Sequence, residues 1–310
     1  MAEGIIYKST GSWYSVKDEK GKFWNARMKG IFKLDAITST NPIAVGDSVS
    51  FETENEGENS VMITRIHDRR NYINRQSPKV RSQQHIVASN LDQLLMLATL
   101  KEPRTSQGFI DRFLVACEMY HIPAAVVFNK ADIYKQKELD KFEELRTMYE
   151  GVGYKVFLVS MLEGTGVAEL EAELKGKTTL VSGHSGVGKS SFINVVLPDK
   201  NLRTKIISGW SGKGQHTTTF AEMYDLPSGG SLIDTPGMKE FGLVNIEKAE
   251  LSGYFPEMRQ RMNDCQFHNC QHINEPGCAI KEAVRNGMIA EDRYVSYYNI
   301  LESLGEEKEW

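Results

Sequence analysis

Gly183-His184-Ser185-Gly186-Val187-Gly188-Lys189-Ser190 is the stretch that decides how this chain folds. It follows the apolar run Thr179-Leu180-Val181 and leads into Ser191-Phe192-Ile193-Asn194-Val195-Val196-Leu197, so it reads as strand, glycine-rich loop, helix. A phosphate-binding loop needs that setting. The glycines let backbone N–H groups turn toward phosphate oxygens, Lys189 reaches the β and γ phosphates, and the Ser190 hydroxyl can ligate a magnesium ion.

Outward from the loop, apolar strands alternate with amphipathic helices. Residues 94–100 are a continuous apolar run of buried-strand length, and Phe109, Ile110, Phe113, Leu114, Cys117 and Tyr120 recur at three- and four-residue spacing, predicting a helix over 108–120 with Cys117 in its core face. Residues 124–128 form the next strand, ending at Asn129-Lys130-Ala131-Asp132. A charged helix is expected over about 136–150, then a strand over 155–159 followed by Ser160. Beyond the P-loop helix come a glycine-rich polar stretch, 201–220, two more strands at 221–226 and 231–233, and Asp234-Thr235-Pro236-Gly237. This alternation predicts a parallel sheet whose ligand groups lie at the carboxyl ends of the strands.

Five short alternating runs separated by turns occupy residues 1–68 and predict a small OB-like β barrel, a scaffold that often binds single-stranded nucleic acid. Trp13, Phe23 and Trp24 are either stacking platforms or barrel core. Residues 69–84 hold Arg69, Arg70, Arg75, Lys79 and Arg81 without an acidic residue and read as an extended basic linker able to follow a phosphate backbone. From Met238 onward the pattern is mainly helical. A last helix over 291–304 carries Tyr294, Tyr297, Ile300, Leu301 and Leu304 on one face. The net charge of −4 excludes a whole-molecule polycation, so nucleic-acid contact must come from local basic surface. No stretch approaches the ~18 apolar residues of a membrane span, and no signal peptide is evident, so a cytoplasmic location is expected.

The polar strand ends carry specific chemistry. The Asp132 carboxylate can accept from both N1–H and the exocyclic amine of guanine, whereas adenine offers an acceptor at N1, so GTP is expected over ATP. Lys130 would lay its stem over the purine and Asn129 would brace the pocket. Asp234 is expected to hold magnesium through water, Gly237 N–H to face the γ-phosphate, and a threonine from 217–219 to complete the metal shell. Just after Gly237, where a Ras-like enzyme has its water-orienting glutamine, stands Met238, whose thioether cannot do that work; His216 is the candidate replacement. Cys265-x4-Cys270-x-His272-x5-Cys278 offers three thiolates and one imidazole, a closed tetrahedral set for structural Zn²⁺, with His268 a rival nitrogen.

These motifs are similar to those of the TRAFAC-type GTPases but in rotated order: NKxD at 129–132, the second base segment at 160–162, the P-loop at 183–190, the threonine run at 216–219, DTPG at 234–237. Such a circular permutation is accepted where the original termini lie close together. With a barrel before it and a cysteine cluster after it, the chain resembles, over essentially its whole length, the RsgA family (also called YjeQ or YloQ), bacterial GTPases of small-subunit maturation. The resemblance implies a GTP hydrolase whose turnover the 30S subunit stimulates, with 16S rRNA, GTP and GDP as partners. It assigns nucleotide contacts to Asn129, Lys130, Asp132, Ser160, Gly183, His184, Ser185, Gly186, Val187, Gly188, Lys189, Ser190, Ser191, Thr218, Asp234 and Gly237. Magnesium falls to Ser190, Thr218 and Asp234; the catalytic candidates read from residue chemistry are Lys189 and His216. Ser160-Met161-Leu162 departs from the usual Ser-Ala pattern.

We therefore expect a monomer in three parts: an OB-like barrel (1–68) with a basic linker (69–84), a circularly permuted α/β P-loop GTPase domain (85–240), and a mainly helical zinc-binding domain (241–310). A GTP-sensing RNA-binding scaffold without hydrolysis and a GTPase acting on another ribonucleoprotein are the alternative readings.

Overall fold

The computed structural model describes residues 2–28, 42–53, 59–76, 84–200, 221–235, 243 and 246–306. Strands β1 (Ala2–Ser9), β2 (Tyr14–Asp18), β3 (Phe23–Met28), β4 (Ser48–Thr53) and β5 (Ser60–Ile66) form the expected barrel. It closes because β1 pairs with both β2 and β4, while β5 pairs with β4 and, in parallel, with β3. Alternate residues point inward, and Ile6, Tyr14, Val16, Ala26, Val49, Phe51, Val61 and Ile63 fill the interior with Ile43. Trp24 packs against this core, whereas Trp13 and Phe23 face solvent at 43% and 45% exposure.

The basic stretch after the barrel differs from the extended linker expected. β6 (Tyr72–Gln76) and β7 (Gln84–Ser89) pair as an antiparallel two-stranded sheet. Arg69 is drawn inward, its Nε donating to Asp47 Oδ1 at 2.6 Å, and Arg70 Nη2 donates to Asp92 Oδ1 at 2.7 Å. The reason is local charge: Asp47 is fully buried and needs a cation, so Arg69 serves the fold. Lys79 and Arg81 lie outside the described residues.

In the centre, β8 (Gln93–Ala98), β9 (Ala124–Phe128), β10 (Lys155–Leu158), β11 (Thr178–Gly183), β12 (Glu222–Asp225) and β13 (Ser231–Asp234) lie in the order β10-β9-β8-β11-β13-β12. All pairings are parallel except β12 with β13. Helices α1 (Gln107–Met119) and α2 (Gln136–Gly151) cover one face; α3 (Val167–Leu174) and α4 (Lys189–Val196) cover the other. The unbroken apolar run of β8 is thereby explained: Leu94, Met96 and Ala98 enter the first core, Leu95 and Leu97 the second. β12 also meets β1 at Lys8↔Glu222, joining barrel and central sheet into one eleven-stranded sheet.

The C-terminal region, with α5 (Pro256–Arg259), α6 (Ala279–Arg285) and α7 (Glu291–Glu306), adds Phe255, Ile280, Tyr297, Ile300 and Leu301 to the core over α1. One charged group pins it there. Arg293, 1% exposed, donates to Asp111 Oδ1 on α1 at 2.6 Å and through Nε and Nη2 to both oxygens of Glu257, while Tyr149 Oη also donates to Asp111. Removing the cation leaves two buried carboxylates facing each other. Arg293→Ala should therefore lower stability by about 3–5 kcal/mol, read from urea unfolding; a loss below about 1 kcal/mol contradicts the assignment.

Candidate nucleotide site and metal centre

Parallel strands bring their carboxyl ends to one rim. The registers align Gly183 of β11 with Leu97 of β8, Phe128 of β9 with Ala98 and with Leu158 of β10, and Asp234 of β13 with Val181. The P-loop, Asn129-Lys130-Ala131-Asp132, Ser160 and Asp234 consequently share an edge.

Asn129 joins the segments on that edge. Its Nδ2 donates to Val187 O of the P-loop at 2.9 Å, its Oδ1 accepts from Met161 N at 3.2 Å, and its own N–H donates to Ala98 O at 2.9 Å. The side chain is 2% exposed, so each bond is made away from water and its loss is uncompensated. Ser160 Oγ donates to Asp132 Oδ1 at 2.6 Å and fixes the rotation of that carboxylate. Lys130 takes a left-handed backbone, φ 70°, and its Nζ donates to the carbonyl of Glu102.

In the P-loop, Gly188 has φ 101°, and a Cβ there would sit 2.2 Å from Asn129 Nδ2. Glycine is required because the loop must both bend and approach Asn129 closely. Lys189 Nζ turns back onto Gly183 O and His184 O. Burial holds the Lys189 amine below its ordinary pKa, opposed by the charge of Asp234; burial likewise raises Asp234, opposed by Lys189. A buried carboxylate on the rim, facing the charge of Lys189 in the P-loop, fits a position where a divalent cation would offset its desolvation. His216, Thr218 and Gly237 lie outside the described residues.

Two contacts had no motif to announce them. The His184 ring stacks on Phe109 of α1, centroids 3.6 Å apart and planes 30° apart, and the Glu102 carbonyl meets Lys130. The helical apolar pattern marks Phe109 as inward-facing but not its partner, and a backbone carbonyl leaves no trace in sequence.

Near the C-terminus, the ligand atoms of Cys265, Cys270, His272 and Cys278 all lie within 4.8 Å of one another. His272 Nδ1 faces Cys278 Sγ at 3.4 Å and Cys265 Sγ at 3.6 Å. His268 is exposed and outside this group. Burial, with the neighbouring Cys278 and Cys265, pushes the Cys270 thiol up to about 12, so a thiolate there at neutral pH requires a cation among the sulfurs. Three sulfurs and an imidazole nitrogen at this spacing fit one tetrahedral metal ion. Lys281 N–H donates to Cys278 Sγ, and Tyr294 and Tyr297 of α7 donate to the carbonyls of His272 and Gln271 at 2.6 and 2.8 Å, clasping the loop. Cys117 is buried alone in the core of α1, as expected.

A family model described as RsgA GTPase matches residues 66–244, and one described as the RsgA N-terminal domain matches residues 3–61. The chain belongs to the RsgA GTPase family. It is 51% identical over 300 residues to the small ribosomal subunit biogenesis GTPase RsgA of Flavobacterium psychrophilum, covering 96% of this chain and 92% of the relative. Among solved structures, YjeQ from Thermotoga maritima is similar with a TM-score of 0.80 at 34% identity, covering 98% of each chain. YloQ, described as a circularly permuted GTPase, is similar with a TM-score of 0.76 at 30% identity over 100% of this chain and 97% of that one.

For an RsgA-family rim built this way, the close approach of Gly188 to Asn129 is a direct test of the geometry. Gly188→Ala should push the P-loop off Asn129 and force an alanine to φ 101°, weakening GDP binding by about tenfold or more. Fluorescence titration with a labelled GDP reads this, and unchanged affinity contradicts it.

Proposed function

We propose that this chain hydrolyses GTP to GDP and phosphate in the biogenesis of the small (30S) ribosomal subunit, acting as a cytoplasmic monomer whose turnover the subunit stimulates. Family membership supports the activity and the subunit partner. The observation that carries the site is the bond from Asn129 Nδ2 to Val187 O, which favours one pocket for base and phosphates. The proposed division is barrel 1–68, basic segment 69–84, circularly permuted GTPase domain 85–240, and zinc-binding domain 241–310.

In this reading the Asp132 carboxylate, held by Ser160, accepts from guanine N1–H and its amine, and the Lys130 stem, pinned at Glu102, covers the purine. Backbone N–H groups of Gly183 through Ser191 surround the phosphates at the start of α4, and Lys189 swings from its carbonyl contacts to the β and γ oxygens. Magnesium, held by Ser190, Thr218 and, through water, Asp234, supplies further charge neutralisation when bound with the nucleotide. His216 orients a water for attack on the γ-phosphorus, the bond to the β–γ bridging oxygen breaks, and GDP departs as Gly237 loses its γ-phosphate contact. Because that glycine directly precedes the C-terminal region, its release can alter how the region grips RNA.

For RNA, the outer barrel face offers Trp13 with the Arg27 guanidinium 3.8 Å above its ring, and Phe23 beside Lys17. Such aromatic and cationic pairs suit stacked bases along a phosphate backbone and agree with a 16S rRNA contact. Zn²⁺ is the ion we assign to Cys265, Cys270, His272 and Cys278, in a structural role, since no position is left for substrate.

Single-turnover hydrolysis with and without purified small subunits tests the function: strong stimulation is expected, and equal rates contradict it. In the same assay His216→Ala should keep GTP affinity within about twofold while losing about 10²-fold or more in rate; an unchanged rate removes His216 from the mechanism. The purified protein should carry one equivalent of zinc, and Cys278→Ser should lose it together with proteolytic resistance of residues 265–278. Full resistance in a zinc-free sample contradicts the metal's structural role.

A further inference from the structure

We propose that Tyr134 is a positioning residue for the guanine nucleotide, its hydroxyl fastening the loop of residues 99–105 to the NKxD strand end so that Lys130 and the P-loop are held for base and phosphate. The proposal deepens the nucleotide reading above and rests on it.

The loop follows β8 and carries none of the nucleotide motifs, yet it touches the site from three sides. Glu102 O receives Lys130 Nζ. Pro103 lies against Gly186, where an added Cβ would come within 3.3 Å of its Cδ. Leu100 N–H donates to Tyr134 Oη at 2.8 Å, and the same hydroxyl donates to Asn129 O at 2.6 Å. Tyr134 thus links the backbone of the loop to the backbone of the residue whose side chain clamps the P-loop. Within the loop, Thr99 N–H donates to Thr105 Oγ1 at 3.1 Å, closing the turn at its base.

Backbone conformation points the same way. Among the described residues only five non-glycine residues have positive φ; Glu102 at 51° and Lys130 at 70° are two of them, and they bond to each other. Such conformations are disfavoured for side chains that carry a Cβ and persist where surrounding contacts over-determine them, as at ligand clamps. Tyr134, 9% exposed, bonds to the backbone on either side of this pair, at Leu100 and Asn129. Burial pushes its phenol up to about 12, so the proton given to Asn129 O is retained throughout the neutral range.

Tyr134→Phe removes the hydroxyl and keeps the ring. It leaves Leu100 N–H and Asn129 C=O without their shared partner, which is expected to raise the GDP Kd and the KM for GTP by about tenfold. The kcat at saturating GTP should stay within about twofold, because His216 and the attacking water are untouched. Tyr298→Phe, on an exposed face of α7, is the matched control with unchanged KM. An unchanged KM in Tyr134→Phe overturns the proposal, as does a variant that loses thermal stability while its KM stays at the wild-type value. Should the variant not fold, hydrogen exchange of the wild-type protein decides: added GDP should slow exchange at Leu100 and its neighbours through Thr105, and an unaltered rate there overturns the proposal. Wild-type protein that binds no labelled GDP sinks the nucleotide reading itself, a result separable from both.

Discussion

The nucleotide rim depends on one buried amide. Asn129 spends its donor on the P-loop carbonyl of Val187, its acceptor on the N–H of Met161, and its backbone on Ala98 and Tyr134. These partners come from four segments that are separate in the chain and adjacent only because β8, β9, β10 and β11 are parallel neighbours. A side chain able to donate and accept at once is what the position demands; an aspartate would lose the donor and face the Val187 carbonyl with negative charge. The Asp132 carboxylate and the Lys189 amine, proposed to read guanine and phosphates, lie on segments that this residue ties together.

The flanking parts are attached to the same sheet by different physics. The barrel meets β12 through one strand register and a set of part-exposed polar contacts, with Asp225 accepting from Tyr7 Oη and Lys17 Nζ at 2.5 Å each and Lys8 pairing with Glu222 at 3.1 Å. Pairs of this kind contribute about 0–1 kcal/mol each. The C-terminal region is instead fixed by a fully buried cation between two carboxylates and by a shared apolar core over α1. Both attachments bear on nucleotide elements: β12 follows the threonine run, and α1 carries Phe109, on which His184 of the P-loop stacks.

Much of this was legible because hydrophobic periodicity is written along the chain. The barrel strands, the alternating strands and helices, and the convergence of the P-loop, NKxD and Asp234 on one rim follow from pattern plus the rule that parallel strands end together. The Cys265, Cys270, His272 and Cys278 cluster, which could hold a metal ion, was legible from residue type and spacing, and the exposed His268 lies outside it. The illegible parts have specific causes. Arg69 and Arg70 look like solvent-facing linker charges, and their carboxylate partners, Asp47 and Asp92, are about 20 residues away on either side. Arg293 shares the inward face of α7 with Tyr297, Ile300 and Leu304, but a pattern search for apolar residues passes over a buried guanidinium. The loop at 99–105 acts through carbonyl and amide groups that every residue possesses, so no residue type announces it.

The central claim is that segments written in rotated order assemble one pocket that reads guanine at Asp132 and phosphates at Lys189. Calorimetric titration of the purified chain with GDP and with ADP tests it most directly. The account predicts one GDP bound per chain, with ADP at least about 100-fold weaker because its N1 acceptor opposes the Asp132 carboxylate. Equal affinity for the two nucleotides, or no binding of either, contradicts it.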